Sequence, residues 1–225
     1  MSKVRVAAFS VSLDGFGAGA RQDLKNPLGA RGTEPHEWFF QTEAFKNRQG
    51  HSGNAQIDDL VRKASGNRGV DNDLAERSFQ NIGAWILGRN MFGPIRGPWK
   101  DDSWRGWWGA NPPFHTPVFV LTHFERDPLM MDGGTMFSFV TDGIESALAK
   151  AKHAAQGKEV RIGGGVSVIR QYLAAGLIDE MHLALAPVVL GEGEHLFSGI
   201  NLHALGFAPI ETVMGKNAMH VVLRK

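Results

Sequence analysis

The stretch Val160-Arg161-Ile162-Gly163-Gly164-Gly165-Val166-Ser167-Val168-Ile169 sets three glycines between a β-branched apolar run and a segment with apolar residues at helical spacing. Glycines at a strand-to-helix bend let the backbone N–H groups approach a ligand, and the first turn of the helix adds unpaired donors and partial positive charge. That chemistry suits a pyrophosphate; a plain strand-to-helix turn is the alternative reading of the same residues. No Gly-Lys-Ser/Thr follows at the spacing of an ATP-type P-loop, and Gly163-x-Gly165-x-x-Val168 lacks the third glycine of the dinucleotide fingerprint. Three more apolar runs end on polar residues: Gly88-Arg89-Asn90-Met91, Thr122-His123 and Thr141-Asp142-Gly143. Arg89 offers a fork of N–H donors matched to phosphate, unless it is an ordinary surface or capping arginine. Ligands of open α/β sheets bind outside the carboxyl ends of the strands, so four such ends together point to a nucleotide site.

Asp14, in Ser12-Leu13-Asp14-Gly15, is either a substrate contact or proton relay, or the residue that makes an Asp-Gly turn. Trp99, Trp104, Trp107 and Trp108 crowd one irregular stretch and are expected to serve packing or an interface rather than to wall a flat substrate. Asp101-Asp102 has no third ligand nearby and the nine histidines form no ligand pattern, so no metal site is expected. Glu192 and Glu194 are expected on an exposed loop.

The elements that must position these groups follow from periodicity. Residues 4–13 predict a buried strand. Residues 17–70 are polar and Gly-rich, with helices expected at 34–46 and 56–63. A helix is expected over 73–82, then strands at 84–87, 117–122 and 138–140. The clearest helix is 144–155, with Ile144, Leu148, Ala151 and Ala155 on one face. A strand at 159–162, a helix that starts at Val166 and ends at Gly176, a long strand over 181–190 and a terminal hairpin (210–213 with 219–223) complete the order. Alternation of this kind predicts an α/β fold: one domain over residues 1–225, three layers, a mostly parallel central sheet and an antiparallel C-terminal edge.

Composition bounds the function. The chain has 225 residues, no cysteine and a formal net charge of +1. Zero cysteines exclude disulfides, cysteine-ligated zinc and thiol catalysis. Balanced charge gives no reason to expect nucleic acid or an anionic membrane as partner. No apolar run approaches the ~20 residues of a membrane span, and the first residues lack the pattern of a signal peptide. The expectation is a cytoplasmic protein with a small-molecule substrate.

The set Ser12-Leu13-Asp14-Gly15, Gly88-Arg89-Asn90-Met91, Val120-Leu121-Thr122, Ile162-Gly163-Gly164-Gly165-Val166 and Leu177-Ile178-Asp179-Glu180-Met181-His182-Leu183 resembles the dihydrofolate reductase family. With Ala186-Pro187-Val188-Val189-Leu190-Gly191-Glu192-Gly193 it is closest to the branch that holds the reductase domain of riboflavin biosynthesis, the RibD C-terminal domain. The resemblance implies a central, mostly parallel sheet of about eight strands with NADPH across its carboxyl edge. It implies a pyrophosphate near Gly88, Arg89, Asn90, Met91, Gly163, Gly164, Gly165, Val166 and Ser167. The adenosine and its 2′-phosphate would lie by Arg89, Thr122, His123 and Thr141, and the nicotinamide by Ser10, Gly17 and Gly19. It further implies a cis peptide at Gly163-Gly164 or Gly164-Gly165, and a homodimer. The chemistry implied is hydride transfer to a pterin, a pyrimidine or a related heterocycle, with a proton supplied by Asp14, Glu37 or His36.

The sequence also departs from folate reductases. The position of their carboxylate ahead of Trp38-Phe39 is Pro35, flanked by Glu34, His36 and Glu37, and Ala184 stands where they carry a threonine. A ribosyl phosphate would have to find cations among Arg21, Lys25 and Arg31. A nucleotide-binding module without turnover and a flavin- or deazaflavin-dependent reductase remain the alternatives.

Overall fold

The computed structural model describes residues 2–49 and 52–225. The strands are β1 (Val4–Ser12), β2 (Phe16–Ala18), β3 (Ile82–Gly88), β4 (Pro117–Leu121), β5 (Leu129–Met130), β6 (Met136–Val140), β7 (Glu159–Gly164), β8 (Glu180–Ala186), β9 (Glu194–His195), β10 (Ala208–Met214) and β11 (Met219–Arg224). The helices are α1 (Glu37–Phe40), α2 (Glu43–Gln49), α3 (Ala55–Lys63), α4 (Val70–Arg77), α5 (Arg89–Phe92), α6 (Ile144–Ala154) and α7 (Val166–Ala174). Nine strands form one sheet in the order β10-β11-β8-β1-β7-β3-β4-β6-β5, and β2 pairs with β9 alone. The inner pairs β8-β1-β7-β3-β4-β6 are parallel, while β10-β11, β11-β8 and β5-β6 are antiparallel. This is the α/β architecture expected, with one short strand and a small second sheet more than the resemblance implied.

Strand alternation sorts the sheet's two faces. Ala84, Ile86, Val160 and Ile162 pack with Ala147, Leu148, Ala151, Ile169 and Leu173 under α6 and α7. Trp85 and Leu87, the alternate residues of β3, join Phe92, Phe114, Val118, Val120 and Phe137 on the other face. That cluster lies beneath the irregular stretch after α5, with Trp99, Trp104 and Trp108 packed against it. Trp99, Trp104 and Trp108 therefore serve packing, as expected, while Trp107 and Trp108 also line the cleft described below, which the expectation did not include. A third cluster of Trp38, Ala44, Ala75, Ala184 and Ala218 joins α1, α2 and α4 to β8.

Three elements differ most from the sequence reading. The helix expected over 34–46 is a 3-10 turn (Glu34–His36), α1 and α2. Thr42 splits it: its hydroxyl donates to Phe39 O (2.7 Å) and accepts from Phe45 N (3.1 Å), so the side chain caps a new helix start. The helix expected over 73–82 runs from Val70 to Arg77, because Asn81 takes positive φ (58°) and Ile82 already belongs to β3. The strand expected over 181–190 stops at Ala186, before Pro187, which has no N–H for a ladder. Among the described residues no helix is long and apolar enough to cross a membrane, and no group of three or more His, Asp or Glu stands together to hold a metal.

Candidate active site

A cleft of about 1110 Å³ crosses the carboxyl edge of the sheet. The expected cofactor residues Ser10, Gly17, Gly88, Arg89, Asn90, Met91, Thr122, His123, Thr141, Gly163, Gly164, Gly165, Val166 and Ser167 all line it. Gly19 does not. A Cβ there would run into the carbonyl oxygen of Ala30, so its glycine serves backbone-to-backbone packing. Gly17 is a close approach of another kind, since a Cβ would lie 2.7 Å from the Phe9 ring and 2.8 Å from Val166 Cγ2.

The triple-glycine bend joins β7 to α7. Gly164 takes φ +128°, open only to glycine, and the Gly164-Gly165 peptide is cis. Gly165 begins α7 with no side-chain cap, so the first N–H groups of that helix are left for a ligand. At the next strand end, Arg89 donates from one terminal nitrogen to Thr122 Oγ1 (3.2 Å) and stacks on Trp99, 3.2 Å from the ring centroid. Its Nε and other terminal nitrogen are buried and have no partner. Burial, with Arg126 close by as a like charge, lowers its pKa to about 10, so it stays charged at neutral pH. Those unmet donors, the uncapped helix and the glycine bend are what an anionic dinucleotide would satisfy.

The three expected proton donors do not converge. Asp14 lies outside the cleft and accepts from Ser12 Oγ (2.6 Å), Leu190 N (3.1 Å) and Gly191 N (2.7 Å). The Ser12 hydroxyl foremost, with those amides, lowers its pKa to about 2, which makes it a turn lock and a poor acid. Glu37 is exposed, accepts from Gln41 Nε2 (2.7 Å) and also lies outside the cleft. His36 alone of the three lines the cleft. Burial lowers its pKa to about 4, and Nδ1 lies 3.1 Å from Gly32 O, so a neutral ring with the proton on Nδ1 presents Nε2 as an acceptor.

Sequence reasoning missed three features. Glu194 lines the cleft in β9 rather than sitting on an exposed loop, and burial raises its pKa. Nothing local signals this, because the pairing Ala18↔Glu194 that brings it in joins residues far apart in the chain. Arg161, in the middle of β7, is 7% exposed and lines the cleft. A lone arginine inside a strand pattern was the available signal. Behind the cleft runs a buried relay: Ala8 N–H donates to His182 Nδ1 (3.2 Å), His182 Nε2 meets His220 Nδ1 (3.0 Å), and His220 Nε2 meets Asp71 Oδ1 (2.9 Å). The acceptor role of His182 Nδ1 fixes the tautomers along the line, so both rings hand their remaining proton toward Asp71. Ala8 itself lines the cleft at the bulge of β1, with φ +49°.

A mostly parallel α/β sheet with a cleft over its strand ends is the architecture that the sequence resemblance implied. The profile of the RibD C-terminal domain matches residues 3–219, and the chain belongs to that family. It is 42% identical over 137 residues to the uncharacterized Bacillus subtilis protein YyaP, a match covering 57% of this chain and 66%, just under two thirds, of that protein's length. Among solved structures it is similar in fold to one described as a riboflavin biosynthesis protein from Shewanella sp. PV-4. That pair has TM-score 0.56 and 20% identity, covering 100% of this chain and 98% of that one. It is also similar to the diaminohydroxyphosphoribosylaminopyrimidine deaminase/5-amino-6-(5-phosphoribosylamino)uracil reductase of Thermotoga maritima. There the TM-score is 0.51 at 13% identity, over 99% of this chain and 56% of that one.

Proposed function

We propose that this chain is an NADPH-dependent reductase of a small heterocycle. The observation that carries the reading is the pair of buried, unpartnered Arg89 nitrogens at the strand edge that also holds the uncapped start of α7. The Val166 and Ser167 end of α7, with Gly88, Asn90 and Met91, would cradle the pyrophosphate. Arg89, flanked by Thr122, His123 and Thr141, would take the 2′-phosphate, which favours NADPH over NADH. Ser10 and Gly17 would border the nicotinamide, which when bound supplies hydride from its C4.

The protein's part is to orient, exclude water and manage one proton. The hydroxyl of Ser10 accepts from Trp38 Nε1 (2.9 Å), which fixes the floor beside the expected nicotinamide. His36 is the proton-handling candidate that reaches the cleft; Asp14 and Glu37 have their carboxylates engaged elsewhere. The acceptor we propose is a pterin, pyrimidine or related ring, in keeping with the family and with the reductase half of the Thermotoga maritima protein's name. A homodimer is part of the proposal, since the sheet-edge strand β10 exposes Ile210 (50%) and Met214 (70%). So is a cytoplasmic location, in keeping with the absence of cysteine. The test is oxidation of NADPH by a panel of pterins, pyrimidines and quinones. Turnover with any of them supports the reading. Tight NADPH binding with no turnover across the panel favours a nucleotide-binding module, and binding of a flavin or deazaflavin in place of NADPH favours the other alternative.

A further inference from the structure

Away from the phosphate end, the cleft becomes an aromatic chamber. Phe39, Phe79, Trp85, Phe114 and Trp108 line it in an unbroken chain of ring contacts, with successive centroids 6.1, 6.1, 5.0 and 5.2 Å apart. Its floor is the face of β7 opposite Val160 and Ile162, and strand alternation puts Arg161 and Gly163 there. A Cβ on Gly163 would lie 2.6 Å from Leu87 Cδ2 and 3.1 Å from the Trp85 ring, so the bare glycine is what lets the indole lie close against β7 beside Arg161.

Arg161 is unusual in what it lacks. One terminal nitrogen donates to Ser78 O (2.8 Å) and Ser78 Oγ (3.1 Å), and the other to Ala7 O (2.7 Å). Its guanidinium carbon lies 4.3 Å from the Trp85 centroid and 5.0 Å from that of Phe79. Nε is buried and unpartnered, and no ion pair among the described residues includes Arg161. Its charged neighbours, Arg5 and Arg48, carry the same sign. Guanidinium does not shed its proton in a protein. The chamber therefore holds a fixed positive charge, walled by rings and paired with no carboxylate among the described residues, a state that a ligand oxygen would relieve.

We propose that this chamber binds a planar, non-phosphorylated aromatic ring bearing a single anionic oxygen group, a carboxylate or ring enolate, directed at Arg161. The inference rests on reading the opposite end as the dinucleotide site and adds the substrate class. The rings supply stacking surface, and Arg161 supplies charge complementarity and selects one edge of the ring. A phosphorylated tail would meet rings where it needs several hydrogen-bond donors.

Calorimetry on the full chain, titrated separately with 2-naphthoate, its neutral isostere 2-naphthamide and 2-naphthyl phosphate, tests this. The carboxylate is expected to bind about tenfold or more tighter than either other probe. Arg161→Gln, with its fold checked by circular dichroism, is expected to erase the preference for carboxylate over amide. Phe114→Leu is expected to weaken both ligands alike and keep their ratio, and it stands as the second variant if Arg161→Gln does not fold. Equal affinity for carboxylate and amide, no binding of either, tighter binding of the phosphate, or a preference that survives Arg161→Gln overturns the inference. NADPH titrated alone into the same preparation separates the two readings. A naphthoate preference without NADPH binding sinks the dinucleotide reading only, and NADPH binding without the preference sinks this one only.

Discussion

The buried relay makes stability respond to pH in a calculable way. Burial foremost, then the neighbouring His220 and the arginines Arg77, Arg161 and Arg5, lower the His182 pKa from 6.5 to about 3. Between those values the unfolded chain binds a proton that the folded chain refuses, so stability falls as pH drops through 6.5 and is complete above it. From pH 6.5 to pH 5 the difference is 1.5 pH units at about 1.36 kcal/mol each, or about 2 kcal/mol from His182. His36, lowered to about 4 by burial, acts in the same direction. Against a total stability of roughly 5–15 kcal/mol, the two together are a large share. Most carboxylates titrate below this window, which leaves the histidines to dominate it. Urea unfolding at pH 7, 6.5, 6, 5.5 and 5 reads the slope. His182→Asn keeps an acceptor for Ala8 N–H, costs stability at pH 7 by leaving His220 Nδ1 unpaired, and should reduce the slope by about one proton's worth, close to 1.4 kcal/mol per pH unit. An unchanged slope in His182→Asn would refute the assignment of a buried neutral imidazole at this position.

Arg89→Met should weaken NADPH by about 10–100-fold, the value of a charge-assisted pair of hydrogen bonds, and leave NADH within about threefold; equal losses for both dinucleotides in calorimetry would deny Arg89 its 2′-phosphate role. Glu194 Oε2 lies 3.9 Å from where a Cβ of Gly165 would stand, beside the start of α7. Glu194→Gln should therefore bind NADPH several-fold more tightly at pH 8 and flatten the pH dependence of Kd, a result checked by fluorescence titration across pH. Gly17→Ala would press a methyl against the Phe9 ring and Val166, and should cost about 1–3 kcal/mol in chemical denaturation; a neutral effect would mean that β2 can shift away freely.

Most of the sheet and the glycine-bend end of the cleft were legible because they are written locally. β7, the triple glycine and α7 are consecutive in the chain, and Gly88-Arg89 lies directly at the end of β3. What was not legible is set by pairings between distant segments. Glu194 enters the cleft only because β9 pairs with β2, and the relay exists only because β11 lies beside β8, at the register His220↔Ala184. Asp14 shows the limit from the other side. Its Asp-Gly context allowed a turn residue and a proton relay alike, and only the amides of Leu190 and Gly191, remote in sequence, reveal it as a turn lock. The Thr42 break in the expected long helix follows the same logic at short range, a hydroxyl capping a helix where propensity alone would continue it.

The central claim is a dinucleotide cradle at the carboxyl edge of the sheet, and direct titration of NADPH into the purified chain tests it most simply. One site with a micromolar or tighter Kd, and a thermal midpoint that rises with ligand, by roughly 2.7 kcal/mol of added stability at one hundred times Kd, is the result the structure predicts. No heat and no midpoint shift at millimolar NADPH would contradict it.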